Sequence, residues 1–324
     1  MLTAASLLAP PASIPSPSRS TWHLGPLSLR AYALCILAGV FIAVWWTSRR
    51  YRARGGSEDT VLDVAMLSVP VGILGARLYH VITSPDAYFG PGGDPVRIVQ
   101  IWRGGLGIWG GVAAGLAAAA WLMRRRGLRL APLTDAVAPA LLVAQAVGRV
   151  GNWFNQELFG APTTLPWGLE IDDAHLPDGC APGTLFHPTF LYEALWNLAG
   201  AALLVLLERR LRRRDGTTGG RLIWAYLMVY TVGRAWIEYL RVDEAAVVLG
   251  LRLNEWTAMI VFLVGLVGFI AASRRGADDA IARRSPEPDA VGSDDEDQDA
   301  TLEGPHGDTD GGPGDDDRAR DGND

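Results

Sequence analysis

The sequence contains no lysine, so all 29 of its basic residues are arginine. Schiff-base chemistry and a lysine general base are therefore excluded, and the alanine, glycine and arginine content is that of a GC-rich genome. Cysteine is nearly absent: Cys35 falls in an apolar run and Cys180 in a polar loop. Two thiols at such different depths make no metal site, and both are read as free and without a role. No internal repeat of the kind many transporters carry is found. The first 28 residues lack the basic leading region of a cleavable leader and instead carry Pro10, Pro11, Pro15 and Pro17, so the first apolar run is expected to stay in place.

What the chain does have is apolar length. A hydrocarbon core of about 30 Å needs about twenty residues per helix. Seven segments meet or approach that length: Leu29 to Thr47, Val61 to Ile82, Ile98 to Met123, Leu130 to Val150, Phe190 to Leu207, Leu222 to Leu240 and Leu253 to Ala272. The expected fold is an all-α polytopic membrane protein with seven transmembrane helices over residues 29–272, preceded by an external segment, residues 1–28. The net charge of −6 hides a split, because residues 277–324 hold 17 acidic residues against 4 arginines, a local charge of −13. Residues 273–324 are accordingly expected to form a disordered acidic tail with little apolar surface to bury.

Arginines set the orientation, since short cytoplasmic loops are enriched in them. They cluster after the first segment (Arg49, Arg50, Arg52, Arg54), between the third and fourth (Arg124, Arg125, Arg126, Arg129), between the fifth and sixth (Arg209 to Arg214, Arg221) and after the seventh. The loop from Asn152 to Phe186 has no arginine but carries Asp172, Asp173 and Asp178. The N-terminus and this long loop are thus expected outside and the tail in the cytoplasm. Pro162, Pro166, Trp167 and Gly168 mark the loop as an ordered surface rather than a linker.

With depth assigned, the polar residues gather at one end. Arg149 closes the fourth segment in the run VGRVGNWFNQELFG, beside Asn152, Asn155 and Glu157. Tyr32 lies near the external end of the first segment, Arg77 near that of the second, and Arg103 and Trp109 on the external half of the third. Gly107, Gly111 and Gly115, spaced by four, suit close helix packing. His187 and Pro188 open the fifth segment, with Glu193 in its first turns, where a carboxylate favours the positive helix end. Tyr230, Arg234, Glu238 and Arg241 recur at spacings of four, four and three and so share one helix face. Charges inside a bilayer are costly and usually face a bundle interior or cavity. A single outward-opening cavity with an excess of Arg77, Arg149, Arg234 and Arg241 is therefore expected. The planar guanidinium fork suits a phosphate or carboxylate, and such a cavity fits an anionic lipid headgroup.

GRVGNWFNQE resembles the signature of the prolipoprotein diacylglyceryl transferase family. RAYAL with Tyr32, the GAR of Arg77, WRGGLGIWGG, HPTFLYE, GRAWIEYLR and the LNEW segment follow in the family's order, from about Ser28 to Ala272. The resemblance implies transfer of a diacylglyceryl group from phosphatidylglycerol to the lipobox cysteine of a prolipoprotein signal peptide in the bacterial plasma membrane. A thioether forms and glycerol 1-phosphate departs. It further implies Arg149 and Arg234 as a phosphate clamp, Asn152 and Glu157 orienting glycerol hydroxyls or the arginine, and Glu238 holding Arg234 or Arg241. Tyr32, Arg77, Tyr230 and Arg241 complete the expected lipid-binding set. Where many family members have a catalytic histidine this chain has Trp109; His187 is the first candidate base, with Glu157 and Tyr32 as alternatives. No cofactor, metal or nucleic acid is expected. The competing reading is a polytopic lipid or anionic-solute transporter, against which the outward shift of the polar set counts. An intramembrane hydrolase is disfavoured because Asp63 and Asp135 lie at the opposite ends of their helices, and a scaffold leaves the convergent arginines unexplained.

Overall fold

The computed structural model describes residues 13–25, 27–241, 247, 248, 251–274 and 281, all within one unit. The expected tail, apart from residues 273, 274 and 281, lies outside the described residues. Among them the helices are α1 (Ala31–Arg52), α2 (Glu58–Thr83), the single turn α3 (Asp86–Phe89), α4 (Ile108–Arg125), α5 (Leu130–Asn155), α6 (Thr189–Asp215), α7 (Arg221–Leu240) and α8 (Leu253–Arg274). Three small antiparallel hairpins join them: β1 (Thr21–Leu24) with β2 (Leu27–Arg30), β3 (Leu169–Glu170) with β4 (Leu185–Phe186), and β5 (Val247–Val248) with β6 (Leu251–Arg252).

This is a mostly helical, multi-pass membrane fold. Helices α1, α2, α5, α6 and α8 are each long and apolar enough to cross a membrane. The other two expected spans are less apolar, because α4 ends on Arg124 and Arg125 and α7 carries Arg234 and Glu238. Phe41, Met66, Leu74 and Val267 are between 65% and 76% exposed, an outward-facing apolar surface that lipid covers without penalty.

Helix packing follows the small residues. Helices α1 and α5 are antiparallel neighbours: a methyl group on Gly39 would lie 2.9 Å from the carbonyl oxygen of Ala144, and one on Gly151 2.8 Å from the Tyr32 ring. Helices α2 and α4 approach equally closely, since a methyl on Gly75 would meet the Gly110 carbonyl at 2.6 Å. The Gly107 amide donates to the Ala76 carbonyl at 2.8 Å, and Gly111 and Gly115 face Gly72, so the glycine repeat does pack one helix on another. The core proper lies between α5, α6 and α7, around Leu142, Leu204, Leu222 and Tyr226.

The third segment departs from expectation in its start, at Ile108 rather than Ile98. Residues Pro95–Ile98 and Ile101–Arg103 form short 3-10 turns, and Gly104 and Gly105 take positive φ. Arg77 is the cause. Its Nε donates to the Ile98 carbonyl, its Nη1 to those of Gly104 and Gly105, and its Nη2 to those of Arg97 and Gln100. A continuous helix would keep those carbonyls for itself.

The sequence also under-reads the arginine-rich ends. Helix α6 continues through its arginines to Asp215, which carries Glu208 into the protein, where it pairs with Arg50 at 2.6 Å and with Arg54. Burial lowers the Arg54 pKa, and the Glu208 carboxylate opposes that shift. Asp135, fully buried, accepts the backbone N–H groups of Gly220, Leu222 and Ile223 at 2.8, 2.9 and 3.3 Å and so caps α7 from α5. The arginine-rich helix ends thus hold a second, structural polar network.

Candidate active site

The last turns of α5 bring Arg149 and Asn152 to one side, because residues three apart are neighbours on a helix. Arg149 Nη1 donates to Asn152 Oδ1 at 3.3 Å, and Asn152 Nδ2 donates to Glu157 Oε1 at 2.8 Å. Asn155 Nδ2 donates to the same oxygen at 3.2 Å. Glu157 can turn back toward the helix because Gln156 adopts a left-handed conformation, φ 51°, at the helix C-terminus. That conformation disfavours a side chain. Here the Gln156 amide is fixed by Asp172, donating to its Oδ2 at 2.6 Å and accepting from its backbone N–H at 2.8 Å.

The centre of the arrangement is a residue that sequence reasoning left as a helix-end carboxylate. Glu193, buried near the start of α6, sits 2.7 Å from Arg149 Nε through one oxygen and 3.8 Å from Arg234 Nη1 through the other. It joins the two arginines expected to form a phosphate clamp. Its signal was the position of HPTFLYE, which puts a carboxylate at the same helix end as Arg149.

Glu238, one turn beyond Arg234 on α7, is 1% exposed and lies 3.0 Å from Arg234 Nη2. Arg252 Nη1 and Asn254 Nδ2 donate to its Oε1 at 3.2 and 2.9 Å. Glu238 thus ion-pairs with both Arg234 and Arg252. The Arg234 Nη1 is buried without a hydrogen bond.

The expected excess of arginine is therefore largely offset by carboxylates, with Glu193 and Glu238 interleaved between Arg149, Arg234 and Arg252. Burial explains it, since unpaired charges at these positions would be costly.

The remaining expected residues divide. Tyr32 packs against Gly151, next to Asn152. Tyr230 stacks on Tyr226, ring centroids 5.9 Å apart, and packs against the helical core. Arg241 ends α7, its backbone bridged to Gly160. The His187 backbone pairs with Gly160 and Ala161, and its ring meets the Tyr192 hydroxyl at 3.3 Å. Arg77 corrects the expectation that it binds lipid with the others: all five of its donors go to loop carbonyls, leaving none for a phosphate. Trp109 is 51% exposed and offers no proton-transfer group in place of a histidine.

Residues 19–271 match the family model for prolipoprotein diacylglyceryl transferase. The chain belongs to that family. A prolipoprotein diacylglyceryl transferase of this kind is a transferase, and the bacterial relatives agree. The phosphatidylglycerol–prolipoprotein diacylglyceryl transferase 2 of Streptomyces coelicolor is 54% identical over 265 residues, 82% of each chain. The enzyme of that name from Bifidobacterium adolescentis is 53% identical over 276 residues, 82% of this chain and 81% of its own. That of Rhodococcus jostii is 50% identical over 285 residues, 84% and 78% respectively. The resemblance drawn from the GRVGNWFNQE run thus extends along most of the diacylglyceryl transferase fold.

Proposed function

We propose that the chain transfers the diacylglyceryl group of phosphatidylglycerol to the thiol of a lipobox cysteine in a prolipoprotein signal peptide. The observation that carries the reading is the meeting of Arg149 and Arg234 on Glu193, with the buried Arg234 Nη1 left open. The lipid phosphate takes the place of the Glu193 carboxylate between the two guanidiniums, whose fork geometry matches it. The cysteine sulfur, as thiolate, then attacks the terminal glycerol carbon of the diacylglyceryl group. The carbon–sulfur bond forms as the carbon–oxygen bond to phosphate breaks, and the electron pair leaves on glycerol 1-phosphate. Preorganised arginines stabilise the charge developing on that leaving oxygen.

The thiol proton goes to a carboxylate or imidazole at the same end of the bundle. Glu157 is favoured over His187, because Asn152 links it to Arg149 while its own side chain stays exposed and able to pass the proton to water. Asn152 fixes both partners, and Glu238 holds Arg234 in its working orientation. Tyr32 and Arg241 border the lipid. Seven membrane crossings with the N-terminus outside and the acidic tail inside put this chemistry at the outer leaflet of the bacterial plasma membrane, where both substrates are reached.

The test is to incubate the purified chain with phosphatidylglycerol and a cysteine-containing lipobox peptide. The expected result is a peptide heavier by one diacylglyceryl group, with glycerol 1-phosphate released in equal amount. Release of phosphatidic acid instead, or no adduct across several lipid and pH conditions, refutes the reading.

A further inference from the structure

Between the end of α2 and the start of α4 lies a second polar hollow, which shares no lining residue with the Glu193 cluster. It has a volume of about 350 Å³ and is lined by Arg77, His80, Tyr88, Arg97 and Arg103 with the backbone at Gly104 and Gly105. Three guanidiniums and an imidazole thus face one space. The carboxylate set against them is Asp94, whose contact with Arg97 is long, 3.9 Å, with both side chains about half exposed. Arg103 forms no ion pair with a described residue, and its side chain is exposed.

The walls are held independently of any ligand. Arg77 is pinned by the loop carbonyls and lies over the Tyr88 ring, its Cζ 5.3 Å from the centroid. The Tyr88 hydroxyl meets His80 Nδ1 at 2.8 Å, which orients the imidazole. Arg77 therefore supplies shape and charge, while Arg97 and Arg103 keep their donors for a ligand. Like charges brought together without matching carboxylates repel one another, and an anion relieves that repulsion. Phe89, Val96, Val99 and Trp102, close in sequence to the lining residues, are between 59% and 72% exposed. Cationic walls with exposed apolar side chains close in sequence, at the end of the membrane-length helix α2, suit a phosphate whose attached chains continue into lipid.

We propose that this hollow is an accessory site for a phosphate ester, occupied in the membrane by one anionic phospholipid headgroup, separate from the transfer chemistry and not dependent on it. Arg97 and Arg103 grip the phosphate, and the Arg77, Tyr88 and His80 framework keeps the hollow open.

Native mass spectrometry of the full chain in neutral detergent tests this, after exposure to phosphatidylglycerol, to phosphatidylcholine, or to phosphatidylglycerol with excess glycerol phosphate. Besides the phosphatidylglycerol of the transfer site, wild type is expected to retain a second that the Arg97→Gln, Arg103→Gln chain holds about tenfold more weakly, the loss of roughly one charged hydrogen bond. Arg149→Gln is expected to keep it. Displacement by glycerol phosphate assigns the site to the phosphate ester alone, and persistence assigns it to the intact lipid; either supports the proposal. The Arg97→Lys, Arg103→Lys chain, which preserves charge, should keep most of the binding. Equal retention by wild type and the glutamine double variant, equal retention of phosphatidylcholine, or a lysine variant as defective as the glutamine one overturns it.

Discussion

Replacing Glu193 by glutamine separates a competing counter-ion from a residue that binds lipid. The carboxylate is 2.7 Å from Arg149 and 3.8 Å from Arg234, and its side chain is 9% exposed against 21% for each arginine. Removing one partner of a buried ion pair costs about 3–5 kcal/mol. Glutamine keeps an oxygen that still accepts from Arg149, and the partly exposed guanidiniums are screened, so about 1–2 kcal/mol is the expected loss of stability. Phosphate binding should move the other way. In wild type it must displace the carboxylate; in Glu193→Gln the Arg149 guanidinium has lost its carboxylate and Arg234 keeps Glu238 alone. The KM for phosphatidylglycerol should fall about tenfold, equivalent to about 1.4 kcal/mol, and glycerol 1-phosphate should become a tighter product inhibitor by a similar factor. Initial rates of peptide lipidation against the mole fraction of phosphatidylglycerol in mixed micelles, with a thermal melt of the same samples, measure both. A tenfold rise in KM would mean that Glu193 contacts the lipid rather than competing with it, and an unchanged KM with unchanged stability would refute the exchange.

Arg149→Lys should reduce transfer at least about a hundredfold without loss of fold, since a point charge cannot span Asn152, Glu193 and a phosphate together; near-normal rates would show that charge alone suffices. Asp135→Asn should lower thermal stability by about 2 kcal/mol, because it weakens the cap on three N–H groups, two of them buried, at the start of α7. Its KM should stay unchanged, and a selective KM effect would contradict a structural role. Arg77→Gln should destabilise the chain by about 3 kcal/mol through stranded carbonyls, measured by thermal unfolding, and an intact melt would show the loop holds without it.

Much of the fold was legible because lipid imposes a strong rule: every crossing must be a helix of a certain length and apolarity. The start of α5, the extent of α7 and the glycine packing of α4 followed from that rule and from residue size, while α5 runs past the expected Val150 to Asn155. The start of α4 did not, because a single side chain, Arg77, diverts the carbonyls that a helix would use, and no local pattern announces such a long-range donor. Arg149, Asn152 and Glu157 were legible as a group because they lie within a few residues of one another. Glu193 was not, since a carboxylate in a first helical turn already has a local explanation, and only tertiary packing reveals that it faces two arginines. The network around Glu208 was missed for a related reason: an arginine-rich stretch reads as a loop until the helix is seen to run through it.

The order of the charges along the chain has a consequence for biogenesis. Translation delivers Arg149 first, Glu193 next and Arg234 last, so the arginine on α5 reaches the insertion machinery before its carboxylate has been synthesised. Until α6 arrives, Asn152 is the polar neighbour at hand, and α7 can insert its own cation only against a partner already in place. Chains arrested between Asn155 and Thr189 should therefore be anchored by α1 and α2 while the Arg149 end of α5 stays open to water-soluble reagents, and that end should become protected once Glu193 has been inserted.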